Sequence, residues 1–175
     1  KEFVNRSRDR ANLGYTDAPL MAKAAVALYE EYLKSSALPK LDQGIIVENM
    51  AIAYRGSGNY KLMVSSMKKA LELYEQANDT YRTCVALKNL GEGEYYFGFK
   101  EKATEYFRAS EKLSNNLDAV KRSDVFWNLA CAFRRIKEPK IELAYLRKGL
   151  ELLPQSEEER SIQIENRLLE LTDFI

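Results

Sequence analysis

The feature that most limits what this chain can fold into is a recurrence of one residue pattern at a spacing of 40 and then 39 residues. The segments NMAIAY (49–54), NLGEGE (89–94) and NLACAF (128–133) each open with asparagine, a large apolar residue and a small residue: Asn49-Met50-Ala51, Asn89-Leu90-Gly91 and Asn128-Leu129-Ala130. Two residues upstream stand Val47, Leu87 and Phe126. Eighteen residues downstream of each asparagine come Met67, Phe107 and Leu146, and three further on the small residues Ala70, Ser110 and Gly149. A recurrence of this length is the mark of stacked supersecondary units, each unable to bury its apolar face alone. The spacing within each unit is that of two amphipathic helices joined by a turn. The small residue of the first helix (Ala51, Gly91, Ala130) lets the second approach closely. The small residue of the second helix is expected to receive the next unit. The turns GSGNY (56–60) and FGFK (97–100) hold the glycine expected after a helix end, and in KEPK (137–140) a proline opens the following helix instead.

These residues resemble the tetratricopeptide repeat (TPR) family. The shared signature is apolar–x–x–large–small, then an aromatic (Tyr54, Phe133), a glycine turn, an apolar residue and a closing small residue; SMKKALELYEQA (66–77) is a good match to a second helix. Glu94 departs from the pattern where an aromatic is usual, Glu142 where a small residue is usual, and the closing proline occurs only as Pro154. The resemblance implies an all-α fold, a right-handed superhelical stack of about nine helices. One partial repeat spans 2–35, full repeats span 44–77, 84–115 and 123–154, and a capping helix spans 156–173. Asp17 is the expected cap of the helix over 17–35, with residues 2–13 as its partner. Ser156 and Glu159 read as a capping box for the last helix. The opening lysine suggests a fragment of a longer protein.

Composition narrows the function classes. Among 175 residues, 46% are apolar, enough for a continuous core, and the 27 basic and 26 acidic residues nearly cancel. A balanced charge argues against direct binding to nucleic acid. No apolar run reaches the roughly 20 residues that cross a bilayer, so membrane insertion is not expected. The absence of histidine removes the commonest general base and zinc ligand. Cys84 and Cys131 match no metal or redox spacing, which fits a reducing, cytoplasmic setting. No phosphate loop or nucleophile motif is present; the glycines of GEGEYYFG (91–98) have packing or turn roles in a repeat helix and the turn that ends it. No catalytic residue, metal or cofactor is expected, and the chain reads as a non-enzyme.

Candidate function then rests on the first helix of each unit, which the resemblance places on the inner, concave wall. Asn49 is turned away from the apolar stripe of Val47, Met50, Ala51 and Tyr54. Its face includes Ile45, Ile52 and the flanking Arg55. The matching faces hold Lys88, Asn89, Tyr95 and Tyr96 in the second unit, and Trp127, Asn128, Arg134 and Arg135 in the third. A row of primary amides can donate to and accept from the backbone of an extended peptide, and related repeats implied by the resemblance hold peptides that way. The carboxylate-clamp variant of the family is not matched, because Glu48, Ile52 and Asp124 stand at its basic or amide positions. The expectation is a scaffold that binds a protein or peptide segment in the groove. Two alternatives are the sensory domain of a bacterial regulator, taking a peptide or small effector, and self-association through exposed repeat ends.

Overall fold

The computed structural model describes residues 18–35 and 37–172, and among them every regular element is an α-helix. The helices are α1 (Ala18–Ser35), α2 (Lys40–Gly56), α3 (Tyr60–Gln76), α4 (Thr80–Tyr96), α5 (Lys100–Ser114), α6 (Ala119–Arg135), α7 (Pro139–Leu152) and α8 (Glu158–Thr172). The expected helix over 2–13 and its Asp17 neighbour lie outside the described residues. The chain divides into two compact units, one reaching to Asp79 with Tyr96–Phe99 added, the other made of Thr80–Tyr95 and Lys100 onward.

Helix starts and stops follow from local chemistry. The Asn59 side chain accepts from the Leu62 amide at 3.2 Å and opens α3, and Asp118 accepts from the Lys121 amide at 2.8 Å to open α6. Pro139 begins α7, where its missing N–H costs nothing. At the C-termini of α2, α3 and α6 the chain closes the same way. The amides of Asn59, Asp79 and Glu138 reach back to the carbonyls of Tyr54, Tyr74 and Phe133 at 2.8, 3.0 and 2.9 Å. Each closure places one residue in the left-handed region: Gly58, Asn78 and Lys137, with φ of 76°, 54° and 62°. Lys137 fills that position without the relief that glycine gives. The capping box expected at Ser156 is not formed. The Glu157 amide bonds the Pro154 carbonyl at 3.0 Å, which closes a turn and delays the helix to Glu158.

In the first unit, Ala25, Val26 and Tyr29 of α1 pack on Ile46, Met50 and Ala53 of α2. Gly44 admits the Tyr74 ring of α3 so closely that a β-carbon at this position would stand 2.7 Å from it. The Tyr74 hydroxyl donates to Glu48. In the second unit the core is aromatic: Phe107 of α5 lies 4.8 Å from Phe133 of α6, and Tyr145 of α7 stacks on Phe133 at 5.4 Å. Each such buried side chain contributes roughly 1.5–3 kcal/mol. The small residues of the second helices differ from expectation. Ser110 donates to the Cys84 carbonyl at 2.8 Å, and Gly149 accepts at its carbonyl from Ser123 at 2.8 Å. Both therefore face the first helix of their own hairpin, where the hydroxyl answers a backbone carbonyl, rather than receiving the next unit.

Two polar ties complete the second unit. Glu142 of α7 is buried and holds Arg167 of α8 through two bonds of 2.7 and 3.2 Å, which accounts for a carboxylate at a small-residue position. Glu111 of α5 accepts from the Tyr145 hydroxyl at 2.8 Å and from Lys148 at 2.6 Å. Burial alone would raise the Glu111 carboxyl, but those two bonds bring it below its ordinary value of 4.5.

Two outcomes are expected. A β-carbon at Gly91 would stand 2.6 Å from the Phe107 ring and 3.0 Å from the Ala103 carbonyl, whereas one at Gly149 meets nothing nearer than 3.5 Å. In urea melts Gly91→Ala should lose about 1–3 kcal/mol, and Gly149→Ala should stay level or gain up to about 1 kcal/mol from helix propensity. Glu111 has a folded value below its unfolded one. Its stabilising effect is therefore present above the unfolded value and is lost as pH falls through the depressed folded value. A thermal-melting series from about pH 6 to about pH 3, which brackets the carboxylate range, should show a shallower acid decline for Glu111→Gln than for wild type.

Candidate interaction surface

In the first unit, Ile45 lines a cleft of about 390 Å³ between α1 and α2, with Leu28, Tyr29, Tyr32, Leu38 and Asp42 among its walls. Asn49, Ile52 and Arg55 are half-buried along α2. Tyr96 is exposed and stacks on Tyr60 at 4.5 Å.

In the second unit the expected face of α4 is closed. From Lys88 to Glu94 every residue is buried, so this stretch of helix has no open side. Asn89 is 3% exposed and Lys88 4%, and the Lys88 ammonium donates to the Asn89 amide oxygen at 2.6 Å. The sequence expectation of a free amide and a free cation here is corrected. A helix buried on all sides must pair its polar groups internally. Tyr95, at the edge of that stretch, is half-buried, with the Lys100 ammonium 5.5 Å from its ring centre.

The face of α6 is more open. Trp127 is half-buried and packs against the core. Asn128 donates to the Asp124 carbonyl one turn back at 2.9 Å, and its side chain lies beside the Tyr81 hydroxyl of α4. The Asp124 carboxylate holds Arg160 of α8 at 2.9 Å. Burial raises the Asp124 carboxyl despite that cation, and raises the Tyr81 phenol with help from the Asp124 charge. Tyr81, Asn128, Asp124 and Arg160 thus form one chain of contacts across α4, α6 and α8. Sequence reasoning missed Tyr81 and Arg160. Arg160 belongs to the terminal helix, outside the repeat, so no periodic signal marks it.

The paired arginines part company. Arg134 is exposed, with its guanidinium 3.8 Å from the Cys131 sulfur. Arg135 grips Glu92 through bonds of 2.6 and 2.9 Å, and the Glu92 side chain is wholly buried. Arg135 was expected to meet a partner's charge; it is instead a tie between α6 and α4, because a buried carboxylate is stable only when paired. Glu94, at the expected aromatic position, is likewise buried and held by Lys102 at 2.7 Å. Cys84 is buried, which pushes its thiol up to about 11. Among the described residues there is no cluster of three or more potential metal ligands, and no helix long and apolar enough to cross a membrane.

Comparison with solved structures agrees with this architecture. Two crystal structures of nearly identical TPR-like repeats of a putative kinesin light chain from Podosopora anserina superpose on 98% of this chain. The TM-scores are 0.60 and 0.59, at 14% and 13% sequence identity, covering 84% and 89% of those chains. The fold is therefore that of the TPR-like repeats, an all-α array of helix hairpins. No family model matches the sequence, and no curated protein matches it.

The adjacent arginines give a direct check. Arg135→Ala should lower stability by roughly 3–5 kcal/mol, the cost of stranding the buried Glu92 carboxylate. Arg134→Ala should fall within about 0.5 kcal/mol of wild type. Urea melts of the two variants side by side measure both.

Proposed function

We propose that this chain is a non-catalytic module that holds a segment of another protein against the exposed faces of its first helices. The observation that carries the reading is the α6 surface of the second unit. There an amide at Asn128, held by the Asp124 carbonyl, lies on one helix face with the half-buried Trp127 and the exposed Arg134. A fixed amide loses little freedom on meeting a peptide, a flat indole supplies contact area, and a guanidinium supplies charge. One hydrogen bond is worth roughly 0.5–1.5 kcal/mol, so Trp127 and Arg134 must supply most of the affinity. Those residue types dominate interface energetics elsewhere. Asn49, Ile45 and Ile52 offer a face of similar character on the first unit, where the Ile45 cleft adds apolar area. The amide row of the sequence reading is reduced by this account, since Asn89 is buried and already bonded.

Self-association is the second reading, favoured by exposed apolar side chains on the first and last described helices: Leu28 and Tyr32 on α1, Ile162 and Leu169 on α8. Light scattering over a range of concentrations separates the two, because only self-association raises the mass with concentration.

The test is recovery of partners from source lysate with wild type and with Trp127→Ala/Arg134→Glu, the fold of both checked by circular dichroism. The double variant should lose the partners that wild type retains. Equal recovery by both would contradict the proposal.

A further inference from the structure

The two units solve one packing problem differently, and the difference leaves a vacancy. In the second unit, Tyr145 of α7 fills the space between α5 and α7. Its ring stacks on Phe133 at 5.4 Å and lies 5.9 Å from Phe126. Its hydroxyl donates to Glu111 at 2.8 Å, and Lys148 one turn on donates to the other oxygen of Glu111 at 2.6 Å.

Two repeats earlier, the register that aligns Met67 with Leu146 aligns Ser66 with Tyr145 and Lys69 with Lys148. The same register aligns Val47, Met50 and Tyr54 with Phe126, Leu129 and Phe133, the floor on which Tyr145 rests. Ser66 is too short to fill the space, and the first unit has a cleft of about 600 Å³ there. Its floor is Val47, Met50 and Tyr54 of α2, its walls Leu33 of α1 and Leu62, Ser65 and Ser66 of α3, and its rim Glu30, Lys34 and Lys69. The cleft thus repeats the floor and the lysine of the Tyr145 seat without the tyrosine; the same register sets Tyr32 at the place of Glu111, and the carboxylate on this rim is Glu30, two positions earlier on α1.

We infer that this outer cleft is a docking site for a tyrosine side chain of a partner protein, presented in an acidic segment. The ring lies on Tyr54 and Met50 as Tyr145 lies on Phe133, an arrangement favourable for paired aromatic rings. The phenol hydroxyl donates to Glu30, the carboxylate on the rim of the cleft. Carboxylates on either side of the tyrosine meet the exposed ammonium groups of Lys34 and Lys69, which charge complementarity favours. The volume falls within the range of sites that enclose a side chain or small ligand. A phosphorylated tyrosine is disfavoured, since its charge would face Glu30. This site uses none of the residues of the α6 surface and stands or falls separately from it.

The experiment uses the whole chain labelled with ¹⁵N and a short probe peptide, acetyl-Glu-Glu-Tyr-Glu-Leu-amide. Its tyrosine-to-alanine and phosphotyrosine forms serve as comparisons. The parent peptide should shift the amide signals of Leu33, Tyr54 and Ser66 with a Kd below about 1 mM. Both altered peptides should bind about tenfold or more weakly. Ser66→Tyr should fill the seat from within, raising Tm and abolishing those shifts. Lys69→Glu, a surface change that preserves folding, should weaken the parent peptide by a similar factor. Trp127→Ala/Arg134→Glu should bind it as wild type does. Failure of the parent peptide to shift the cleft signals at millimolar concentration, or equal binding by the alanine peptide or by Lys69→Glu, would overturn the assignment.

Discussion

The α2–α3 and α4–α5 hairpins depend on one contact made twice: a helix without a side chain at one point, met there by a large ring from its partner. Gly44 takes the Tyr74 ring in the first unit, and Gly91 takes Phe107 in the second. At both places even a methyl group would overlap the ring. Close approach lets dispersion contacts accumulate along the helices, small one by one and large together. It also fixes the axial register of each pair, because the ring fits at one height only. The terminating turns after α2, α3 and α6 then set where each helix ends, so the faces of successive helices are determined by short-range chemistry.

Charge is used inside the second unit as a second means of alignment. Glu92, Glu94 and Glu142 are all buried and all held by cations on other helices, Arg135, Lys102 and Arg167. Such pairs cost desolvation energy and add little net stability over apolar substitutes, but removing one partner strands the other. Their effect is therefore on which helices meet and at what register. The consequence for function is that charged residues on a helix face cannot be assumed available. Arg134 and Arg135 are neighbours in sequence, yet the first faces solvent and the second closes an internal pair.

The helix hairpins were legible in the sequence because apolar and small residues recur at a fixed spacing, and that spacing has one economical physical reading. Gly91 against the second helix of its hairpin follows directly from it. The partner of Ser110 and Gly149 does not, since a small residue reports close approach without saying from which side. The candidate face was only half legible. Asn128 and Trp127 lie on a partly open surface as their helical phase implies, but Asn89, at the matching phase, sits in a stretch of α4 buried on all sides. Periodicity assigns a direction around a helix and is silent on what lies in that direction. The acidic residues at Glu94 and Glu142 were visible as departures from the repeat, while their partners came from other helices at no fixed spacing.

The most direct test of the packing account is a double-mutant cycle on Gly91 and Phe107, with Gly91→Ala, Phe107→Leu and the pair compared by urea denaturation. If the missing β-carbon exists to admit the ring, shortening the ring should relieve the added methyl. The double variant should then be more stable than the two single losses combined by about 1 kcal/mol or more, the scale of coupling between residues in contact. Losses that simply add would contradict the claim that this contact sets the hairpin.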